Sequence, residues 1–257
     1  MNSTSPRPEA NVDSPNADRL IPASLNPAAQ SDVDWFVKCV GDAFKSELIA
    51  IAIYGPATTS IFDRKLHRIH TLIVRRQTDT AALLELAKSS VPASDRGFAP
   101  PLVVSPDDIA GSKDVFPLEW MDMAYYHVVV AGDVRIDAEF DVDHVRLQCE
   151  RDLRALRIVM QRGILASGGR EKWIDRLERD AADSLIRVLR GIAWLGGDRH
   201  PHLPAELPDM VESVTGFTIA GCREAIATDG RHDLQTLDEI LSEVDQMISF
   251  VDRFKTG

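Results

Sequence analysis

The sequence predicts an α/β domain with a mixed sheet, followed by an all-α helical bundle. Over roughly the first 130 residues, segments with helical spacing of apolar residues alternate with short apolar runs that are typical of strands. After Gly132 the short runs end, and apolar residues recur every three or four positions over long stretches. We therefore expect a sheet domain over residues 31–135 and a helical domain over residues 142–255.

The composition is that of a globular protein with an acidic surface. The chain has 257 residues, of which 44% are hydrophobic, enough to bury a core. Its net charge of −11 argues against a general nucleic-acid or anionic-membrane binder, because both need a basic surface, although a locally basic site is still allowed. No apolar run approaches the roughly 20 residues that span a bilayer, and the polar N-terminus lacks a signal region. Three scattered cysteines suit a reducing cytoplasm better than a disulfide framework or a zinc site.

The sheet domain is predicted element by element. Residues 1–30 hold five prolines and indicate a disordered tail, after which Ser31 can cap a first helix. The apolar run Leu48–Tyr54 predicts a buried strand that Gly55-Pro56 ends. The remaining patterns predict a strand over 68–74, a helix over 78–88, a strand over 101–104, a helix from Ser105, and strands over 115–120 and 125–131.

The helical domain is predicted from three apolar stripes. The first runs from Val145 to Ile164, with Asp143 as its cap, and Ser167-Gly168-Gly169 ends it. The second runs from Ile174 to Leu195 and the third from Leu237 to Phe254, with shorter helices near 208–215 and 218–227. Such stripes must be covered by other apolar surface, so the bundle packs on the sheet domain or pairs two chains as a homodimer.

Residues 54–74 carry the most informative pattern. Tyr54-Gly55-Pro56 closes the first strand. Arg68 follows Gly55 by 13 positions, in the segment His67-Arg68-Ile69-His70-Thr71-Leu72-Ile73-Val74. In order and spacing this resembles the nucleotidyltransferase superfamily, in which an apolar strand is followed by Gly-Ser and then by Asp-x-Asp at the start of the next strand. The resemblance extends to residues 114–119 and 147–153, which look like a set of uncharacterised bacterial proteins of that superfamily.

The residues that the superfamily uses for chemistry are replaced here. The resemblance implies a phosphate-binding serine where Pro56 has neither hydroxyl nor N–H, and metal-binding aspartates where Arg68 and His70 stand. A guanidinium cannot bind Mg²⁺, and imidazole is a poor ligand for it. The superfamily's third carboxylate, on a later strand, matches Glu119 and, less well, Asp122. Since one carboxylate cannot organise two metal ions, we expect no metal, no cofactor and no catalytic residue.

The resemblance therefore implies a degenerate pocket formed by Gly55, Arg68, His70 and Glu119. The leading hypothesis is a pseudoenzyme that binds a small anion, a nucleotide or a protein partner, since Arg68 and His70 reverse the charge of the site. Alternatively, Arg68 pairs with Glu119 or Asp63 and closes the pocket. Two further hypotheses stay open: an active metal-dependent nucleotidyltransferase with a displaced site at Glu119, and a structural assembly module.

Other polar clusters have ordinary interpretations. His67 and His70 would point to opposite faces of a strand, and His200-Pro201-His202 is typical of a polar loop. The alternating acids at 137, 139, 141 and 143 indicate a solvated linker before the long helix, and Cys149 lies in an apolar stripe as a core thiol.

Overall fold

The structure, a computed structural model, describes residues 24–77, 79–227 and 233–254. The chain enters through a 3-10 turn at Pro27–Ala29, whose N–H at Ala28 donates to the side chain of Asn26 at 3.0 Å, and continues into helix α1, Gln30–Phe44. Residues 24–30 of the predicted tail are thus among the described residues, and residues 1–23 lie outside them. Because α1 already begins at Gln30, Ser31 is not its cap.

A mixed four-stranded sheet forms the first part of the protein, as predicted. Its strands are β1 (Leu48–Tyr54), β2 (His70–Arg75), β3 (Leu102–Val104) and β4 (His127–Gly132). Their order is β3-β2-β1-β4, with β1 antiparallel to β2 and β4, and β2 parallel to β3. The second strand starts at His70 rather than at 68, so Arg68 precedes it.

The sheet has two buried faces, because the strand period of two sends alternate side chains to opposite sides. One face, with Ile51, Ile53 and Ile73, packs against Phe36 and Val40 of α1. The opposite face, formed by Ala50, Ala52, Leu72 and Val74, packs against Trp120 and Met123. Helices α2 (Thr80–Ala87), α3 (Ser90–Asp95) and α4 (Pro106–Ser112) flank the sheet, and α4 begins at the predicted cap Ser105.

The predicted strand over 115–120 is wrong, because this segment leads into helix α5, Pro117–Tyr125. Proline at the first position of a helix loses no hydrogen bond, which explains where α5 begins. The helix buries Trp120 and Met123 toward the sheet, and Leu118 and Met121 toward the helical bundle. Apolar residues on two sides leave no single helical stripe, so the sequence has the appearance of a buried strand.

The second part is a helical bundle, as predicted. It consists of α6 (Val142–Ser167), α7 (Glu171–Leu195), α8 (Leu207–Thr215), α9 (Ala220–Ile226) and α10 (Leu234–Arg253). Asp141, not Asp143, caps α6 by accepting the N–H groups of Asp143 at 2.8 Å and His144 at 3.3 Å. Cys149 is fully buried in the bundle core. Within the described residues, we find no helix with the length and hydrophobicity needed to cross a membrane.

Candidate functional site

The candidate site, which we call the cleft, comprises one end of the sheet and the charged side chains of α5 and α7 that act on its residues Tyr54 and His70. Tyr54, the last residue of β1, and His70, the first of β2, are register partners, and their rings lie 5.5 Å apart. Gly55 follows with a φ of +74°, and a Cβ built on it would lie 3.9 Å from Cδ2 of His70. Glycine is therefore favoured here by backbone conformation rather than by crowding. The structure places Gly55 and His70 side by side, as two of the four predicted pocket residues.

The turn after Gly55 offers little to a phosphate group. Residues Gly55–Thr58 form a 3-10 turn in which Pro56 supplies no N–H. The hydroxyl of Thr58 is buried and donates to the carbonyl of Gly55 at 2.9 Å, and that of Thr59 donates to the carbonyl of Pro56 at 2.8 Å. Both hydroxyls near the turn are thus engaged with its own backbone.

The two rings at the strand ends sit in an environment of opposed charges. Burial lowers the pKa of His70, the nearby Asp183 carboxylate opposes this, and Arg68 adds to it, so the imidazole is neutral at pH 7. Burial also raises the pKa of Tyr54, with Arg187 acting against the rise and Asp122 adding to it. These interactions connect the ends of β1 and β2 to charged side chains of α5 and α7.

Glu119 lies in the first turn of α5, and not on a strand as we expected. Its Oε1 accepts from Arg187 at 3.1 Å, and its Oε2 accepts from Nε2 of Gln148 at 2.6 Å. The same Gln148 amide donates to Asp152 at 3.2 Å, so it links a carboxylate of α5 to one of α6. Glu119 therefore joins the sheet part to both long helices of the bundle.

Asp122 lies one turn after Glu119 and forms a second connection to α7. Its carboxylate pairs with Arg190, whose side chain is only 7% exposed, and its Oδ2 lies 3.8 Å from Nε of Arg187. Sequence reasoning missed both arginines. The sequence did contain one indication of Arg190, which is the single charged residue among apolar residues and a glycine over 188–195.

Arg68 is directed away from this cleft. Its Nη2 donates to the carbonyl of Phe98 at 2.5 Å and to Oγ of Ser94 at 3.2 Å, both in the segment before β3. These bonds replace the ion pair with Glu119 or Asp63 that was one of the two expectations. The structure thus separates Arg68 from Gly55 and His70, although all three lie near the same end of the sheet.

A cavity of about 290 Å³ lies beside Glu119, between α6 and α7. Its wall is mostly apolar, and its polar lining residues are Glu119, Asp152, Asp180, Ser184 and Arg187. In the described part of the chain, no group of three or more His, Cys, Asp or Glu residues is arranged to hold a metal ion. The cavity, which adjoins the cleft at Glu119 and Arg187, can therefore offer a ligand charged groups of both signs beside an apolar surface, whereas Tyr54, Gly55 and His70 do not line it.

Neither a family model nor a curated protein matches this chain. A solved structure does: the spectinomycin adenyltransferase AAD(9) from Enterococcus faecialis, crystallised with ATP and spectinomycin. The two structures superpose with a TM-score of 0.53 at 10% sequence identity, over 87% of this chain and 99% of the other. This chain has a nucleotidyltransferase fold. The coverage means that the similarity includes the helical part as well as the sheet, and at this identity it establishes the nucleotidyltransferase fold and no reaction.

Proposed function

We propose that this protein is a nucleotidyltransferase-fold pseudoenzyme that binds a nucleotide or another small anion in the cleft without transferring a nucleotidyl group. The observation that carries the proposal is the pairing of the cleft carboxylates. Glu119 and Asp122 are bound to Arg187 and Arg190, while the strand ends present Tyr54 and His70. The cleft thus has compensated carboxylates where metal-dependent transfer needs available ones.

Electrostatics argue against a metal ion in this arrangement. Mg²⁺ prefers several oxygen ligands, including carboxylates, in a regular octahedron. If Mg²⁺ bound Glu119 or Asp122, a guanidinium would lose its partner and face a second cation. His70 would not compensate, since imidazole is a weak ligand for so hard an ion.

The same arginines favour an anionic ligand. Arg187 lines the cavity and its side chain is 40% exposed, so it can reach a bound molecule while it remains beside Glu119. Guanidinium groups bind phosphate through paired hydrogen bonds without a metal ion. The structural neighbour is described in complex with ATP, which makes a nucleotide the first ligand to test.

A transfer assay combined with calorimetry tests the proposal. We expect no pyrophosphate release from ATP, GTP, CTP or UTP with Mg²⁺ or Mn²⁺, and heat of ATP binding in EDTA that Arg187→Gln weakens about tenfold. Arg154→Gln on α6 is the matched control, since it removes the same charge from an exposed arginine outside the cavity. Metal-dependent pyrophosphate release that is lost in Glu119→Gln would overturn the proposal.

That contrary outcome corresponds to the second candidate, an active nucleotidyltransferase with a displaced metal site. One observation favours it: Gln148 bonds to both Glu119 and Asp152, which brings two carboxylates to a single amide. In that case Asp152→Asn should abolish release as completely as Glu119→Gln does. If the protein neither binds ATP nor releases pyrophosphate, the structural assembly module is the hypothesis that is left.

We also propose a homodimer through the helical part and a cytoplasmic location. Leu147, Ile158 and Leu165 are 51%, 54% and 82% exposed, and their spacing places them on one side of α6. Light scattering should give twice the chain mass, and Ile158→Glu should halve it. The three cysteines are free, as a reducing compartment would keep them.

A further inference from the structure

A second cavity, of about 350 Å³, opens between the loop before β2 and the turn before β3. It is lined by residues 64–68 and 94–97, and we call it the basic cavity. Of the predicted pocket residues, it contains only Arg68. Its lining shares no residue with that of the cavity beside Glu119, so what it binds is independent of the function proposed above.

The basic cavity concentrates positive charge in an acidic protein. Four cations, Arg64, Lys65, Arg68 and Arg96, line it, against two carboxylates: Asp95, which also lines it, and Asp32, which pairs with Arg64 and Arg96. The chain as a whole carries a net charge of −11. Salt screens charges beyond a Debye length of about 8 Å, so an ion inside the cavity responds more to the side chains that line it than to distant charges of the protein. An anion that enters the cavity is therefore attracted locally, although the protein as a whole repels it.

Buried and aromatic neighbours fix two of the guanidinium groups in place. Asp32, only 3% exposed, pairs with Arg64 at 2.5 Å and with Arg96 at 2.9 Å. The guanidinium of Arg96 also lies over the ring of Trp35, 4.6 Å from its centroid. Groups that are already ordered lose less conformational entropy when a ligand binds.

Arg68 and His67 add oriented donors. Arg68 is held by the Phe98 carbonyl and the Ser94 hydroxyl through Nη2 alone, and a guanidinium carries five N–H donors. Nδ1 of His67 accepts the N–H of Asp63 at 3.0 Å, so the neutral ring carries its proton on Nε2 and can donate from there. Arginine, lysine and imidazole donors around one small space match the oxygens of a phosphate group.

We propose that the basic cavity binds the phosphate groups of a small phosphorylated molecule, in the size range of pyrophosphate. Several cations around one space favour a ligand with more than one negative charge over a single carboxylate. A long nucleic acid would in addition have to lie along the surface of a chain with a net charge of −11, where repulsion opposes it. The proposal therefore specifies a small molecule.

Calorimetry of the full chain with sodium pyrophosphate in EDTA tests this proposal, with inorganic phosphate, ATP and a single-stranded oligonucleotide as further titrants. We expect a pyrophosphate-binding step that is about tenfold weaker in Arg68→Gln and in Lys65→Gln and unchanged in Arg187→Gln. Lys65 is exposed, so its variant tests binding even if Arg68→Gln is less stable. Arg154→Gln serves as the control for net charge, and thermal unfolding of each variant reports whether it is folded.

Retention of pyrophosphate affinity in Arg154→Gln, with weaker binding at higher salt, would support the basic cavity. Weaker binding of ATP than of pyrophosphate would indicate that free phosphate is the ligand, and the reverse order would indicate a nucleotide phosphate. No heat with pyrophosphate would overturn the proposal, as would equal loss in Arg154→Gln or binding of the oligonucleotide alone. Loss of pyrophosphate binding in Arg187→Gln but not in Arg68→Gln would assign it to the cleft and also overturn it.

Discussion

The imidazole of His70 lies 5.5 Å from the ring of Tyr54, its register partner, at the paired ends of β1 and β2. The two side chains belong to the sheet face that also buries Trp120 and Met123. They therefore occupy the end of the sheet that faces the cleft. An ionisable ring in this partly buried position ties the stability of the sheet to pH.

We predict that His70 makes the protein sensitive to mild acid. Burial lowers the pKa of His70 below its ordinary value of 6.5, so the unfolded chain binds this proton more tightly than the folded one. The free energy of unfolding is therefore undiminished above pH 6.5. It falls as the pH drops below 6.5 toward the lower pKa of His70 in the folded state. Urea unfolding at pH 8, 6 and 5 should show a smaller loss of free energy in His70→Gln than in the native protein. His144→Gln on α6 is the control, and parallel pH profiles for His70→Gln and the native protein would contradict the prediction.

Neutralising Asp122 should lower the free energy of unfolding more than neutralising Glu119 does. Asp122→Asn leaves the guanidinium of Arg190, 7% exposed, without its carboxylate, and we expect a loss of about 3 kcal/mol. Glu119→Gln leaves Arg187, which is 40% exposed and can be hydrated, so we expect at most about 1 kcal/mol. Urea unfolding at pH 7 measures both. Replacing both members of the buried pair, as in Asp122→Leu with Arg190→Met, should recover part of the stability that Asp122→Asn loses. Equal losses in Asp122→Asn and Glu119→Gln would contradict the prediction.

Apolar runs and stripes predicted the fold better than they predicted the site. The run Leu48–Tyr54 predicted β1 with its observed bounds, because a fully buried strand leaves a continuous apolar pattern. Helix α5 was missed because it buries apolar residues on both sides, and its acids were therefore assigned to a strand. The direction of Arg68 could not be predicted either, since a long side chain can reach acceptors on several neighbouring segments.

The sequence also did not predict where the helices contact one another, and Gly191 is an example. A Cβ at this position of α7 would lie 2.5 Å from Sγ of Cys149 and 2.6 Å from Cδ2 of Leu118, so α5, α6 and α7 meet there. We predict that Gly191→Ala destabilises the protein by about 1–3 kcal/mol, despite the better helix propensity of alanine. Gly41→Ala in α1 is the matched control, because nothing lies within 4 Å of its added Cβ, and it should stabilise by up to about 1 kcal/mol. Thermal unfolding of the two variants in opposite directions is the expected result, and a stabilising Gly191→Ala would show that the helices have room to separate.

The last prediction concerns the dependence of the sheet part on the bundle. Leu118 and Met121, from the sheet part, are at most 1% exposed and belong to the bundle core, and the N–H of Leu118 donates to Oε1 of Gln148 at 2.8 Å. A fragment of residues 24–135 would expose these side chains and remove the partners of Glu119 and Asp122. We therefore expect it to aggregate, or to bind a hydrophobic dye and unfold without cooperativity.

Co-expression with residues 136–257 is the control for that experiment. If the shared core is what the fragment lacks, the two pieces should purify together and unfold in one cooperative transition near that of the full chain. Carrying Leu118→Ala in the first piece should weaken this association, because the substitution removes a buried side chain from the centre of the joint core. A soluble fragment 24–135 that melts cooperatively by itself would show that the sheet part folds independently, and the contacts of α5 with α6 and α7 would then serve only to position the cleft.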